Sequence, residues 1–446
     1  MSENLFKKYG DKYKKSAMDF CEEYKHFLTV AKTERLCVKY FKEKAEKNGF
    51  VELSNLKNPK AGDKVYYINR DRSAIFAVLG KEPIENGINL VAAHIDSPRL
   101  DLKPSPVTQE GNLAYFRTHY YGGIKKYQWV TMPLALYGVV VKTDGTKVEI
   151  AVGDGENDPA FTVTDLLPHL ATKQATLKMG EIITGEKLMV LAGSDESDSE
   201  KDPIKDNLLN ILKEKYDISE DDFYSAEIQV VPAGRAYDVG FDRSMTGGYG
   251  QDDRVCAYTA FMGLLEAKEP EKTAVVLLAD REEVGSMGNS GMQSSFMHYF
   301  LEEIYGIVKI NTLFKNTCCL SSDVSATYDP IYPEVYEKQN SPIAGQGISL
   351  LRYTGSRGKG GSSEASAEFT AKVRALFDKN DVAYQFAELG KVDEGGGGTV
   401  AQYIANLGAD VIDAGVSLLC MHSPFEVAHK ADIYEAYKAY KAFLKA

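Results

Sequence analysis

The sequence predicts an α/β protein: a three-layer α/β/α core around a mainly parallel or mixed central sheet, with a mainly β domain inserted into it. Two observations carry this. Short, almost wholly apolar runs recur at 86–93 (NGINLVAA), 273–279 (TAVVLLA), 317–320 (TCCL) and 415–421 (GVSLLCM), with helical segments between them. Runs of that kind are strands buried on both faces, and their alternation with helices builds a layered sheet. Between 104 and 237 the texture changes to short alternating stretches (KVEIAV, EKLMVL, AEIQVV) separated by Gly/Asp-rich turns. The expected division is therefore a discontinuous α/β domain at 1–103 and 238–446, interrupted by a β-rich domain at 104–237.

The 446 residues are 44% hydrophobic, 26% charged and 11% aromatic, the balance of a folded globular chain and not of a disordered one. With 52 Lys+Arg against 64 Asp+Glu, the net charge of −12 repels phosphate backbones and anionic bilayers, so neither nucleic acid nor membrane is expected as a partner. No apolar run approaches the roughly 20 residues of a membrane span. The amino-terminal stretch has basic residues but no apolar core of a secretory signal, which places the chain in the cytoplasm. Six scattered cysteines without a C-x-x-C pair argue against a zinc ribbon or a disulfide framework.

Along the chain, Phe20, Tyr24, Phe27 and Leu28, then Leu36, Tyr40, Phe41 and Ala45, are spaced as the apolar faces of two opening helices. The run after the Asn86-Gly87 turn ends at His94, and in an extended chain Asp96 points to the same side, so that it can orient the imidazole. The acidic stretch GSDESDSEKDP reads as a solvated loop. Asp252-Asp253-Arg254 precedes a helix, VCAYTAFMGLLEA, where an aspartate can serve either as an N-cap or in chemistry. Asp280-Arg281-Glu282-Glu283 follows TAVVLLA, and adjacent carboxylates at a strand exit need solvent, a partner or a cation. Asp323 follows TCCLSS, and His422 follows GVSLLCM. In GSRGKGGSS, Gly358-Lys359 is followed by Gly360 instead of Ser or Thr, and Gly395–Gly398 opens no dinucleotide motif, so both glycine patches read as tight turns.

Five separate segments thus deliver His, Asp or Glu at strand or helix ends, where open α/β sheets bind ligands. Imidazole with carboxylate suits zinc, manganese or cobalt.

The segments AAHIDSPRLDLKP, QDDRVCAYTA, DREEVGSMGNSG, SSDVSATYDP and MHSPFE, in that order, resemble the aspartyl aminopeptidase and aminopeptidase I group, metallopeptidase family eighteen of the cocatalytic two-metal aminopeptidases. The resemblance implies a peptidase core holding two zinc ions per subunit, with cobalt or manganese as substitutes. It implies that Asp252 bridges them, that His94 and Asp323 complete one site, and that Glu283 and His422 complete the other. Two divalent ions against three carboxylate ligands and one hydroxide make a neutral cluster, which is cheaper to hold in a partly dry cleft. Glu282 would be the general base acting on a metal-bridging water. The substrates implied are peptides with a free amino terminus, in an enzyme preferring acidic or neutral first residues.

His169, in DLLPHLA, matches a histidine of relatives and is implied in the active site, reached from a neighbouring subunit or not. Arg357 and Lys359 fall near where acid-preferring relatives place a basic residue. Asp253 and Arg254 depart from the asparagine and leucine of many relatives. The assembly implied is a homo-oligomer, a tetrahedral dodecamer built from dimers, with the inserted domain driving association. Two alternatives are an N-acyl amino acid deacylase of the same clan and a catalytically silent scaffold; intact Glu282 and ligands oppose the second. His26, His119, His298 and His429 have no comparable setting.

Overall fold

The strand Asn89–His94 lies inside a nine-stranded sheet and is buried along its whole length. It runs parallel to Ala274–Ala279 on one side and to Cys318–Ser321 on the other, and Cys318–Ser321 is parallel to Asp410–Gly415. Four central strands therefore share one direction, and their carboxyl ends share one edge. Outside them the sheet turns mixed: Ser73–Val78 pairs antiparallel with Ala274–Ala279, and Ile348–Leu351 antiparallel with Asp410–Gly415.

Three of the four central strands are apolar on both faces, which is why they read as continuous runs, whereas Asp410–Gly415 carries the buried Asp413. Val91, Ala93, Val276 and Leu278 pack into one core with Phe27, Phe41, Phe261 and Tyr440. Leu90, Ala92, Val275 and Leu277 pack into a second with Phe296, Phe300 and Ile404. The helices Leu5–Val30, Glu34–Lys47, Gln251–Leu265 and Lys430–Leu444 thus contribute to one layer, and Phe296–Tyr305 and Ala401–Ala405 to the other. The architecture is three-layer α/β/α. Gln251–Leu265 is buried on nearly every side, apolar from Val255 onward apart from Thr259 and carrying buried polar residues in its first turn.

This computed structural model describes residues 3–306 and 310–446. The chain forms two units: Met1–Ser97 with Arg235–Met421 and Phe425–Ala446, and Pro98–Gly234 with His422–Pro424. The second unit contains a seven-stranded sheet of antiparallel pairs, built on the long strands Arg99–Glu110 and Leu113–Tyr121, and a helix at Pro203–Tyr216. The acidic run at 194–202 has no regular structure and is largely exposed. Among the described residues no helix is long and apolar enough to cross a membrane.

One predicted strand divides. The run 415–421 is not one element: Gly415 ends the central strand, and Ser417–Leu419 belongs to a five-stranded sheet with Ser325–Ala326 and Glu426–His429. Both sheets bury their strands, so hydrophobicity does not mark the change. A Cβ on Gly415 would sit 1.7 Å from the Asp323 carbonyl oxygen, so the switch passes too close to the neighbouring chain for a side chain.

The terminal helices are tied to the five-stranded sheet through Asp238. Lys25 Nζ and Lys430 Nζ lie 2.6 and 2.7 Å from its Oδ1, and Arg243 Nε lies 2.6 Å from Oδ2. Burial alone would raise this carboxyl, but the three cationic donors hold it well below the usual carboxylate range. Its stabilisation is present above the unfolded-state pKa of about 4 and is lost as pH falls through the depressed folded value. Asp238→Asn leaves Lys430, whose side chain is fully buried, with only the more distant and exposed Glu22 carboxylate, 3.9 Å away, as an anionic neighbour, at an expected cost of about 3 kcal/mol. Urea unfolding should show that loss at pH 7, shrinking as acid titrates the wild type.

Candidate metal centre

Because the central strands are parallel, the residues that end them converge. His94 closes its strand opposite Ala279, with the imidazole 1% exposed. Its Nδ1 lies 3.0 Å from the Asp96 carbonyl oxygen and 3.3 Å from Asp96 Oδ1. Both neighbours can only accept, so Nδ1 donates, and in the neutral ring the lone pair is on Nε2. That atom lies 3.1 Å from Asp252 Oδ1, 3.7 Å from Asp323 Oδ1 and 3.9 Å from Glu282 Oε2.

Asp252 stands at the start of the helix Gln251–Leu265, behind Gly250 in the left-handed region. Asp252 and Asp253 both have non-helical backbone angles, so the regular helix begins only after them. Glu282 and Glu283 sit in a single turn after Ala274–Ala279, and their backbone N–H groups donate to Asp96 Oδ1 and Oδ2 at 3.1 and 3.2 Å. Asp96 therefore orients the His94 ring and fixes the turn that carries both glutamates.

The centre concentrates negative charge with little solvent. Burial lowers the His94 pKa, but hydrogen bonds to Asp252, Asp323 and Asp96 outweigh it and hold the imidazole well above its usual value. Burial raises the Glu282 carboxyl to about 8; His94 opposes the shift, while Asp323, Asp96 and Asp252 add to it. Asp323 and Asp253 are likewise raised, first by burial and then by neighbouring carboxylates. Such a cluster is relieved by a divalent cation. The donor set fits zinc: ligand atoms of His94, Glu282 and Asp323 lie within 4.8 Å of one another, as do those of His94, Asp252 and Glu283.

These five side chains are brought together. His422 lies in the second unit, half-buried, its Nδ1 2.9 Å from the Gly123 carbonyl oxygen, which places the neutral ring's lone pair on Nε2 as at His94. His169 is exposed in the short turn Pro168–Leu170 of that unit. Arg357 is exposed, and Lys359 Nζ sits 3.2 Å from both Glu364 oxygens and 3.7 Å from the Tyr353 ring centroid. Asp253, named in the sequence only as part of its segment, accepts the His94 backbone N–H on Oδ2 at 3.3 Å, and Glu426, which sequence reasoning missed, accepts the Asp252 N–H on Oε2 at 3.1 Å. Asp253 adjoins a residue already singled out, whereas nothing local marks Glu426.

A profile of the family described as aminopeptidase I zinc metalloprotease (M18) matches residues 27–444. The chain belongs to the M18 family. It is 50% identical to a probable M18 family aminopeptidase 1 of Clostridium acetobutylicum, over 99% of this chain and 97% of that one. A crystal structure of an M18 aminopeptidase from Thermotoga maritima superposes with a TM-score of 0.96 at 44% identity, covering 100% of this chain and 99% of that one. A dodecamer from S. cerevisiae, 21% identical, shares the fold with a TM-score of 0.77 over 98% and 97% of the two chains. This M18 chain is accordingly a metalloaminopeptidase, a hydrolase of a zinc-dependent family.

A cation that binds the folded centre and not the unfolded chain must stabilise the fold. Metal-stripped protein titrated with zinc to 100 times its Kd should gain about 2.7 kcal/mol, read as a rise in Tm. Asp252→Ala should flatten that response in the same thermal titration.

Proposed function

We propose that the protein removes the first residue from peptides with a free amino terminus, using two zinc ions per subunit and Glu282 as general base. The supporting observation is the convergence of His94, Asp252, Glu282, Glu283 and Asp323 at the carboxyl edge of four parallel strands. Asp252 would be shared by both ions, with His94 and Asp323 completing one ligand set and Glu283 and His422 the other. Bound zinc supplies Lewis-acid polarisation of the scissile carbonyl and a lowered pKa for the attacking water.

The chain's own groups do the rest. Asp96 holds the His94 ring and the Glu282-Glu283 turn, so ligand and base keep a fixed separation. Glu282 accepts the proton of the attacking water and delivers it to the leaving amine. Glu282→Gln keeps shape but removes the acceptor. Its kcat should fall by about 10²–10⁴-fold, with zinc content by elemental analysis near wild type. Glu283→Gln should instead lose metal. Near-normal turnover in Glu282→Gln would sink the assignment.

For the first residue of the substrate, neutral side chains are the better fit. Lys359 is engaged by Glu364 and by the Tyr353 ring, so its charge is not held for a substrate carboxylate. A leucyl anilide should be cleaved with higher kcat/KM than aspartyl or glutamyl anilides, and Arg357→Ala and Lys359→Ala should leave that ranking unchanged.

Assembly as a homo-oligomer, a tetrahedral dodecamer with the region 104–237 as its association domain, is supported by exposed Leu166, Leu167 and Leu170 around His169, at 52%, 50% and 68% exposure. In such an assembly His169 would reach a neighbour's active site. A cytoplasmic location fits six cysteines of which none is paired in a disulfide.

A further inference from the structure

We propose that Arg254, acting through the Ser97 hydroxyl, is a positioning residue that sets the zinc affinity of the centre by fixing the backbone of Asp252. The inference rests on Asp252 as a metal ligand.

The Asp252 main chain is held at both ends. Its N–H donates to Glu426 Oε2 at 3.1 Å, and its carbonyl accepts from Ser97 Oγ at 2.6 Å. Arg254 Nη2 lies 3.0 Å from the same Ser97 Oγ. A guanidinium has donors and no acceptor, so Ser97 must accept from Arg254, and its own hydrogen is directed to the Asp252 carbonyl. Arg254 thus sets the direction of a hydroxyl that would otherwise rotate.

The guanidinium is itself immobilised. Nη1 donates to the Ala31 carbonyl at 2.8 Å, where the first helix ends, and the group stacks 4.9 Å from the Tyr249 ring centroid. Arg254 is completely buried and Ser97 is 3% exposed, so water does not compete for these bonds. Gly250 makes the room: at φ +73°, a Cβ there would stand 1.9 Å from Arg254 Nη2 and 2.9 Å from Ser97 Oγ. A relay therefore runs from Ala31 through Arg254 and Ser97 to Asp252, and it ends on the backbone of a ligand.

Residues that orient metal ligands typically contribute about 10- to 100-fold in affinity. Ser97→Ala, Arg254→Met and the double variant would be measured for zinc Kd by competition with a chromophoric chelator, with Tm alongside. Each single variant should weaken zinc by about that factor, and the double should bind no worse than the weaker single, because both remove one relay. Arg254→Lys, which can reach Ser97 or Ala31 but not both, should fall between. Losses that multiply, or a fall in Tm with Kd unchanged, would overturn the proposal. If Arg254→Met does not fold, Ser97→Ala decides alone: wild-type zinc affinity refutes the relay. Asp252→Ala separates the two layers. Were it to hold zinc like wild type, the ligand assignment would fail; were it to lose zinc while Ser97→Ala kept it, only the positioning role would.

Discussion

The constraint on which the rest of this structure depends is the concentration of buried acids at the carboxyl edge of four parallel strands. Parallel strands place their ends together, so His94, the Glu282-Glu283 turn and Asp323 are delivered to one place by the sheet and not by flexible loops. The same geometry makes the place hostile to negative charge: burial and mutual repulsion push Glu282, Asp323 and Asp253 upward. A divalent cation would resolve that conflict.

Holding such a cluster requires rigid supports with satisfied polar groups. Asp96 accepts two backbone N–H groups and faces an imidazole; Glu426 and Ser97 pin the two ends of one peptide segment. These supports come from the residues just past one strand end and from the middle strand of another sheet. The dense apolar packing around Gln251–Leu265 keeps that helix start from relaxing when charges repel. Packing and chemistry are therefore coupled through Asp252.

Much of this was legible locally. Three of the four central strands were runs of apolar residues because both their faces are covered, with a polar residue at or just past each end, whereas the fourth, Asp410–Gly415, carries two aspartates and was not read as a strand. His94, Glu282, Glu283 and Asp323 were found that way. The run 415–421 misled because it crosses from one buried sheet to another, and hydrophobicity carries no record of which sheet a strand joins. Glu426 and the Arg254–Ser97 contact left no local trace, since their partners lie 157 or more positions away in the chain.

The sequence by itself determined the fold class, the helix and strand content of the core, and the kind of chemistry its strand ends carry, because periodicity and residue type are local properties. Only the tertiary structure decided that Nε2 of His94 faces three carboxylates, that Asp96 holds both glutamates, and that Lys359 is engaged by Glu364. Those facts depend on hydrogen bonds a few ångströms long between segments far apart in the chain, and only the packed sheet and helices bring such atoms within reach.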